Sequence, residues 1–120
     1  MDLATFGIAT QIAPPTARFT VSGELDAFHA PRLSRQVREA ANDGCRDSAI
    51  DLDAVTFVDC GGVGSLLRLR ADVTAAGGSL LIQSASDCVR RLCTLLGLHE
   101  TLGVVPLAWR DRGMTAEVVA

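Results

Sequence analysis

The sequence contains no lysine and no tyrosine, and its aromatic residues are only four phenylalanines and one tryptophan among 120 residues. So few rings cannot form the stacking platform on which bases or sugars bind. All 11 basic residues are arginines, and 14 acidic residues outnumber them to give a formal net charge of -3. Nucleic-acid-binding domains usually carry a basic stripe. We therefore expect no direct nucleic-acid partner.

Long apolar runs and metal-binding cysteine pairs are also missing. No stretch approaches the ~20 apolar residues that cross a bilayer, and residues 1–10 lack the basic region and apolar run of a signal peptide. We expect no membrane partner and a cytoplasmic location, where cysteines are normally free thiols. No C-x-x-C pair is present, so we expect no metal site and no cofactor. The cysteines are Cys45, Cys60, Cys88 and Cys93.

The hydrophobic pattern predicts one α/β domain over residues 1–120. Period-two alternation predicts strands at residues 5–12, 17–22, 48–58 and 80–83, and the second of these ends within residues 22–26. Residues 104–108 form a fifth candidate strand, but Pro106 confines it to an edge of the sheet or leaves it irregular. Helical spacing predicts helices at residues 29–42, from about 62 to 77 and from about 87 to 97. The order β-β-α-β-α-β-α-β, opened by a hairpin at Pro14-Pro15, predicts a mixed, mostly parallel sheet of four to five strands with helices packed on it. On this pattern Cys93 belongs to the core, and Cys45 and Cys88 should be less buried.

The turn from Phe57 to Ser65 is the first candidate site, because open α/β sheets bind ligands at the carboxyl ends of their strands. A helix that starts near Gly62 directs unpaired N–H groups at this edge, which favours an anion. Asp59 would repel a free phosphate, and the turn has neither a Walker nor a Rossmann glycine pattern. The alternative is a tight turn whose glycines allow close backbone packing. The local sequence leaves both interpretations open.

Asp26, at the end of the second strand, should lie at the same edge as Asp59. Two carboxylates could divide acid and base roles if their surroundings separated their pKa values. The sequence offers no nucleophile partner and no metal-ligand set beside them, so helix capping is the simpler interpretation. His29 and His99 have no serine or cysteine partner at a catalytic spacing, and we expect a protein that is not an enzyme.

Three motifs, in this order and spacing, resemble the STAS domain of bacterial anti-sigma factor antagonists from about Thr5 to Val105. The first is Val21–Asp26 (VSGELD), followed by Pro31 and Leu33. The second is Asp51-Leu52 with Phe57–Gly64 (FVDCGGVG), where the family has Asp-Ser-Ser-Gly in place of Asp-Cys-Gly-Gly. The third joins Ala76–Leu80 (AGGSL) to the later Val89–Leu92 and Leu96–Leu98.

The resemblance implies the STAS fold and a partner-switching role. The antagonist docks onto an anti-sigma factor that is also a serine kinase and so frees the sigma factor; phosphorylation of the antagonist abolishes docking. Carried onto this chain, the partner-binding residues are Asp26, Phe28, His29, Asp59, Cys60, Gly61, Gly62, Val63 and Ser65. The family's phosphoacceptor position is Gly61, which has no hydroxyl, and the preceding serine position is Cys60.

Two hypotheses follow from this departure. The first is that the protein is a binder that is not phosphorylated at Gly61. The second is that control has passed to redox chemistry, with Cys60 forming a mixed disulfide or a disulfide for which Cys88 is the first candidate partner. The alternatives are a STAS subunit of a lipid-transport or stress-signalling complex and a decoy that no longer binds. We expect a monomer or weak dimer.

Overall fold

The computed structural model describes residues 6–106. Their helices and strands follow the predicted order up to the third long helix and add one short helix. The elements are β1 (Phe6–Ala13), β2 (Thr16–Leu25), α1 (Ala30–Asn42), β3 (Asp47–Val58), α2 (Cys60–Ala75), β4 (Ser79–Ala85), α3 (Asp87–Leu95) and α4 (His99–Leu102).

The four strands form one sheet in the order β1-β2-β3-β4. β1 and β2 are antiparallel and are joined at Pro14-Pro15, as predicted, because prolines cannot continue the ladder. β2 pairs with β3 and β3 with β4 in parallel, and α1 and α2 provide the crossovers. The predicted mixed, mostly parallel α/β architecture is confirmed.

The core lies on one face of this sheet, because alternate strand residues point to the same side. β2 contributes Phe19 and Val21 and β3 contributes Ile50 and Leu52, all with no exposed surface. α1 and α2 cover these side chains with residues at helical spacing, which are Leu33, Val37, Val63, Leu66 and Leu69. The helix periodicity in the sequence thus selects the face that packs on the sheet.

The opposite face of the sheet, called the bare face here, is polar. The hydroxyl of Ser79 donates to Asp47 Oδ1 at 2.9 Å, and that of Ser84 donates to Asp51 Oδ1 at 2.6 Å. Leu81 lies on the same face and is 57% exposed. The acidic residues that alternate along β3 therefore lie on the bare face, and the apolar residues between them face the core.

The predicted fifth strand is not found where the structure describes it. Val104 to Pro106 adopt no regular structure, and Leu107 and Ala108 lie outside the described residues. The Arg90 guanidinium donates to the carbonyl oxygens of Val105 and Pro106 at 3.0 and 3.1 Å, so α3 holds this segment by its backbone. Pro106 also lacks the N–H that a ladder needs. The short helix α4 was not predicted. Within residues 6–106, no helix is long and apolar enough to cross a membrane.

Candidate docking site at one edge of the sheet

β2 and β3 end side by side, and this brings the two candidate turns together. In the parallel pairing Glu24 lies opposite Phe57 and Leu25 opposite Val58. The residues that follow, 26–29 and 59–65, therefore meet at the same edge of the sheet, as the sequence predicts. We call these two segments the rim.

Asp26 organises the first segment of the rim. Its Oδ1 accepts hydrogen bonds from the backbone N–H groups of Phe28 (3.1 Å) and His29 (2.9 Å), and the Nδ1 of the His29 ring lies 2.8 Å away. The backbone hydrogen bond from His29 is the main cause that lowers the pKa of Asp26. Its carbonyl oxygen also accepts the N–H of Ala30, which ties the turn to α1. Asp26 is thus charged and fixes the shape of the turn.

The two ring residues of the rim have opposite exposures. The side chain of His29 is only 15% exposed, and its ring stacks on Phe6 with centroids 5.2 Å apart. Phe28 meets the His29 ring edge-on at 5.0 Å and is 83% exposed. His29 therefore supports Phe28 from beneath, and Phe28 offers the larger apolar surface to solvent.

Asp59 is the N-cap of α2. Its Oδ1 accepts the N–H of Gly62 at 2.8 Å, and its carbonyl oxygen accepts the N–H of Val63 at 3.0 Å. The N–H groups at a helix start attract anions, and here the carboxylate of Asp59 already occupies that position. This geometry disfavours a phosphate site at the start of α2. It agrees with helix capping by Asp59, the simpler of the two predicted roles for the carboxylates.

The glycines of the rim allow the start of α2 to pack directly on the end of β2. A Cβ on Gly62 would collide with the carbonyl oxygen of Leu25, and one on Gly61 would lie 2.6 Å from the Cβ of Ala27. A Cβ on Gly64 would meet nothing closer than Arg68 Nη1 at 3.5 Å, an ordinary contact. Close backbone packing, the second interpretation of the turn, therefore accounts for Gly61 and Gly62 but not for Gly64.

The family of the chain follows from comparison with known proteins. The family model described as "STAS domain" matches residues 7–108. The chain belongs to the STAS domain family. This match covers both segments of the rim.

The curated relatives are anti-sigma factor antagonists. The chain is 30% identical over 84 residues to the anti-sigma-B factor antagonist of Staphylococcus aureus (strain NCTC 8325 / PS 47), covering 70% of this chain and 78% of that protein. The anti-sigma-B factor antagonist of Bacillus subtilis (strain 168) is also 30% identical over 84 residues, covering 70% and 76%. The solved structure of the anti-sigma factor antagonist SpoIIAA in its unphosphorylated form superposes with a TM-score of 0.68 at 20% identity, covering 92% of this chain and all of that one. At that identity the structural likeness shows the fold.

The cysteines of this STAS domain differ in exposure. Cys93 is buried as predicted, and burial raises the pKa of its thiol. Cys45 is also fully buried, so the prediction that it would be less buried is wrong: its N–H donates to Ala40, and the chain turns inward after α1. Cys60 is exposed at the start of α2. Cys88 is half-buried, with its Sγ 3.4 Å from the carbonyl oxygen of Val55.

The described residues contain one group of potential metal ligands, and it joins the end of β2 to the first segment of the rim. The ligand atoms of Glu24, Asp26 and His29 all lie within 4.8 Å of one another. The sequence indicated no metal-ligand set beside Asp26, because the closeness of Glu24 and His29 to it depends on how the turn folds. Oδ1 of Asp26 already takes the hydrogen bonds that hold the turn, and the His29 ring is packed on Phe6. The arrangement is therefore that of a braced turn.

The remaining predicted rim residues lie beneath or beside this surface. The side chain of Val63 is 1% exposed and belongs to the core. Ser65 is half-buried and accepts a hydrogen bond from Arg68 Nη2 at 3.2 Å. It also lines a groove of about 360 Å³ between α1 and α2, together with Ser34, Arg38 and other residues. The structure thus brings all the predicted partner-binding residues to one edge, although only some of them face solvent.

Ala27 is a rim residue that the sequence analysis missed. Its importance arises only from its contact with Gly61, 34 positions later in the sequence. Neither the alternation of β2 nor the spacing in α1 involves this position. The signal available was its place directly after the Val21–Asp26 motif.

Proposed function

We propose that this STAS domain is an anti-sigma factor antagonist that docks through the rim onto an anti-sigma factor of the serine-kinase type and so releases a sigma factor in the cytoplasm. The names of the curated relatives support the antagonist role. The proposed location of the docking site rests on the exposure of Phe28 beside small residues of the rim. The proposed contacts are Asp26, Phe28, His29, Asp59, Cys60, Gly61 and Ser65; Gly62 and Val63, which the sequence also predicted, are buried beneath this surface and are not proposed as contacts.

The shape of the rim suits a protein partner. Phe28 stands 83% exposed directly after Ala27, and the backbone of Gly61 lies against Ala27, so the residues on this side of the rim are small. A protruding aromatic side chain beside a flat surface is typical of the anchors that provide most of the binding energy in protein interfaces. The carboxylates of Asp26 and Asp59 are both committed to backbone N–H groups. They therefore keep the two turns in the shape that the partner would meet.

Capture of the partner tests this function. The tagged full-length chain is mixed with cytosol of its source bacterium under reducing conditions, and the bound proteins are identified by mass spectrometry. We expect an anti-sigma factor among them, and we expect the chain to restore sigma-dependent transcription that this factor inhibits. Loss of an interface anchor costs about 2 kcal/mol or more, or roughly 30-fold in affinity, and Phe28→Ser should weaken capture accordingly.

Leu81→Ser is the matched control, because Leu81 is an exposed apolar residue on the bare face, away from the rim. It should capture the anti-sigma factor as well as the wild type does. Failure to recover any anti-sigma factor would contradict the proposed function. Equal capture by Phe28→Ser and the wild type would contradict the proposed location.

We further propose that the chain is not a substrate of the partner's kinase at the family position. Gly61 offers no hydroxyl, and the thiol of Cys60 is not a serine-kinase substrate. Ser65 lies in the second turn of α2, and its oxygen accepts a hydrogen bond from Arg68. Incubation with the captured anti-sigma factor and ATP should leave the intact mass unchanged; a stoichiometric phosphate adduct would refute this part.

Redox control at Cys60 is the second regulatory proposal. In thiol exchange the Cys60 thiolate attacks oxidised glutathione, forms a mixed disulfide and releases one glutathione thiolate. The adduct would cover the rim next to Gly61 and block docking. Cys60 is exposed, whereas Cys88 points towards the carbonyl oxygen of Val55, so we expect the mixed disulfide to form more readily than a Cys60–Cys88 bridge.

The redox proposal predicts that oxidised glutathione abolishes capture by the wild type but not by Cys60→Ser. If the mixed disulfide blocks docking, oxidised glutathione should abolish capture by Cys88→Ser as it does by the wild type. If a Cys60–Cys88 bridge blocks docking, Cys88→Ser should still capture the partner after oxidation. Capture that is identical with and without reductant would refute redox control.

A further inference from the structure

β1 is an edge strand without the usual protections against pairing with another chain. Within residues 6–106 the sheet order is β1-β2-β3-β4, so no further strand pairs with the outer side of β1. Its sequence, FGIATQIA, holds no charged residue and no proline, and its pairing with β2 runs through all 8 residues without a bulge. Charges, prolines and bulges are the features by which soluble proteins block such edges. The outward backbone groups of β1 are therefore regular and open.

The other edge strand, β4, is less regular and has a neighbour. Its parallel pairing with β3 shifts register after Ile50. Residues 103–105 line a groove together with residues 82–85 of β4. Arg90 holds the end of that segment through two backbone carbonyl oxygens. Of the two edges of the sheet, β1 is thus the one that offers a partner strand a continuous ladder.

The helix beside β1 carries its charges in an order that complements a second copy of itself. α1 lies against β1, since Thr10 Oγ1 donates to Gln36 Oε1 at 2.8 Å and the Arg32 guanidinium lies 5.1 Å from the centre of the Phe6 ring. On this side of the helix two exposed basic residues precede two exposed acidic ones at helical spacing, namely Arg32, Arg35, Glu39 and Asp43. Two copies of a helix related by a twofold axis run antiparallel. The basic half of each then lies beside the acidic half of the other.

Arg35 and Glu39 are available for such a contact. Both side chains are exposed, and they line a groove of about 300 Å³ between α1 and β1, together with Thr10 and Ile12. Neither takes part in an ion pair with another of the residues that the structure describes. Ile12 is 51% exposed, so the groove also offers apolar surface. An apolar strand edge thus lies next to a pair of unused opposite charges.

The alternation of side chains limits how two copies of β1 can pair. A twofold axis perpendicular to the sheet leaves every side chain on its own face, so residues opposite each other must both be even-numbered or both odd-numbered. With the axis at Thr10, Ile8 lies opposite the partner's Ile12, and Thr10 lies opposite the partner's Thr10. Threonine pairs stabilise an antiparallel ladder, and the isoleucine pair covers apolar surface that is exposed in the single chain.

The same axis brings the two copies of α1 to a suitable distance. Strands in a sheet are spaced by about 4.8 Å, so a helix that lies above β1 and β2 is roughly 5 Å from an axis just outside β1. The two helices then lie about 10 Å apart, close to the ordinary spacing of packed helices. Gln36, which binds Thr10, lies nearest the axis. Arg35 therefore comes beside the partner's Glu39, and symmetry forms this pair twice.

We propose that the outer edge of β1 is the interface of a symmetric dimer of this chain. Two β1 strands pair antiparallel, so that two four-stranded sheets become one continuous sheet, and Arg35 of each copy pairs with the partner's Glu39. The twofold axis reverses the strand direction, which places the two rims at opposite ends of the joined sheet. Each rim stays open to its own partner protein, so the dimer does not depend on the proposed docking.

Sedimentation equilibrium of the full chain over a range of concentrations tests the strand pairing, under reducing conditions that exclude disulfide-linked dimers. We expect the wild type to approach twice the mass of one chain as its concentration rises. Thr10→Lys places two ammonium groups opposite each other and should raise the dissociation constant about tenfold or more. Leu81→Lys is the matched control, because it adds the same charge at a 57% exposed position on β4. It should form dimers as the wild type does.

A charge exchange between chains tests the contact of the two α1 helices. Arg35→Glu and Glu39→Arg each set like charges against each other across the axis, and each should weaken the dimer about tenfold or more. An equimolar mixture of the two variants should associate again, because two acids of one chain then meet two arginines of the other. Each chain keeps its own like-charged pair within α1, so recovery in the mixture cannot arise inside one helix.

Three results would overturn the proposal. The first is a wild-type chain that stays monomeric up to its solubility limit. The second is a dimer that Leu81→Lys weakens as much as Thr10→Lys does, which would point to β4. The third is a mixture of Arg35→Glu and Glu39→Arg that associates no better than either variant alone. If circular dichroism shows that Thr10→Lys does not fold, the two α1 variants decide, because they change only exposed side chains.

Discussion

The cap of α2 by Asp59 gives a prediction in which structural and binding roles can be separated. Asp59→Ala removes the acceptor of the Gly62 N–H, now 2.8 Å from Oδ1, and also removes a negative charge from the start of a 16-residue helix. Loss of an N-cap costs about 1 kcal/mol, and loss of the favourable charge at the helix N-terminus costs about 0.3–1 kcal/mol. We expect the free energy of unfolding to fall by about 1–2 kcal/mol in total. A domain of this size is stable by about 5–15 kcal/mol, so the variant should still fold.

Asp59→Asn divides this loss into its two parts. Asparagine keeps a side-chain oxygen that can accept the Gly62 N–H, and so it should lose only the charge contribution, about 0.3–1 kcal/mol. The assay is urea unfolding followed by far-ultraviolet circular dichroism, with the change in free energy taken from the midpoint at constant slope. Binding of the anti-sigma factor is measured on the same samples. If the carboxylate serves only as a cap, Asp59→Asn should bind as the wild type does.

Asp72→Asn is the control on the same helix. Asp72 pairs with Arg38 at 2.9 Å, but both side chains are 58% exposed, and such surface pairs contribute little. We expect a change below about 0.5 kcal/mol. Equal losses in Asp59→Ala and Asp59→Asn, or no loss in Asp59→Ala, would refute the capping argument.

Three further predictions concern glycines and the bare face. Gly62→Ala should lower the unfolding free energy by about 3 kcal/mol or more, since its Cβ meets the Leu25 carbonyl and no rotamer relieves the collision; a fully stable variant would contradict the close approach. Gly64→Ala should raise stability by up to about 1 kcal/mol in the same urea assay, because alanine is the better helix former and the space is open; a loss would show an unseen contact. The hydrogen bond from the Ser84 hydroxyl is the main cause that lowers the pKa of Asp51 below its ordinary 3.8. The wild type should therefore be more stable than Ser84→Ala above pH ~4, and this difference should vanish as the pH falls through the pKa of Asp51 in the folded state. A pH-independent difference between the two unfolding curves would rule out this linkage.

The fold could be predicted where one physical rule acted alone. The alternation in β2 and β3 and the helical spacing in α1 and α2 each indicate which face is buried, and the structure buries those faces. For residues 104–106 the irregular outcome that Pro106 allowed is the one observed, and the hydrogen bonds from Arg90 to the carbonyl oxygens of Val105 and Pro106 are contacts that local periodicity cannot reveal. α4 is too short, at four residues, to show a helical period.

The rim could be located from sequence but its construction could not. Parallel strands end at the same edge, so Asp26 and Asp59 were expected to be neighbours. Which oxygen accepts which N–H, and therefore that both carboxylates hold turns, depends on atomic positions. The burial of Cys45 and the contact between Ala27 and Gly61 likewise depend on how separate segments meet.

The parallel pairing of β2 with β3 makes the rim a conformational epitope. Its halves, 26–29 and 59–65, are separated in the chain by all of α1 and β3, and they become neighbours only when Leu25 is paired with Val58. A synthetic peptide that copies either half carries a recognisable motif but only part of the surface. Such peptides should not compete for the partner, and antibodies raised against them should recognise the denatured chain better than the native one. Recognition at this edge therefore reports on the assembled sheet as a whole.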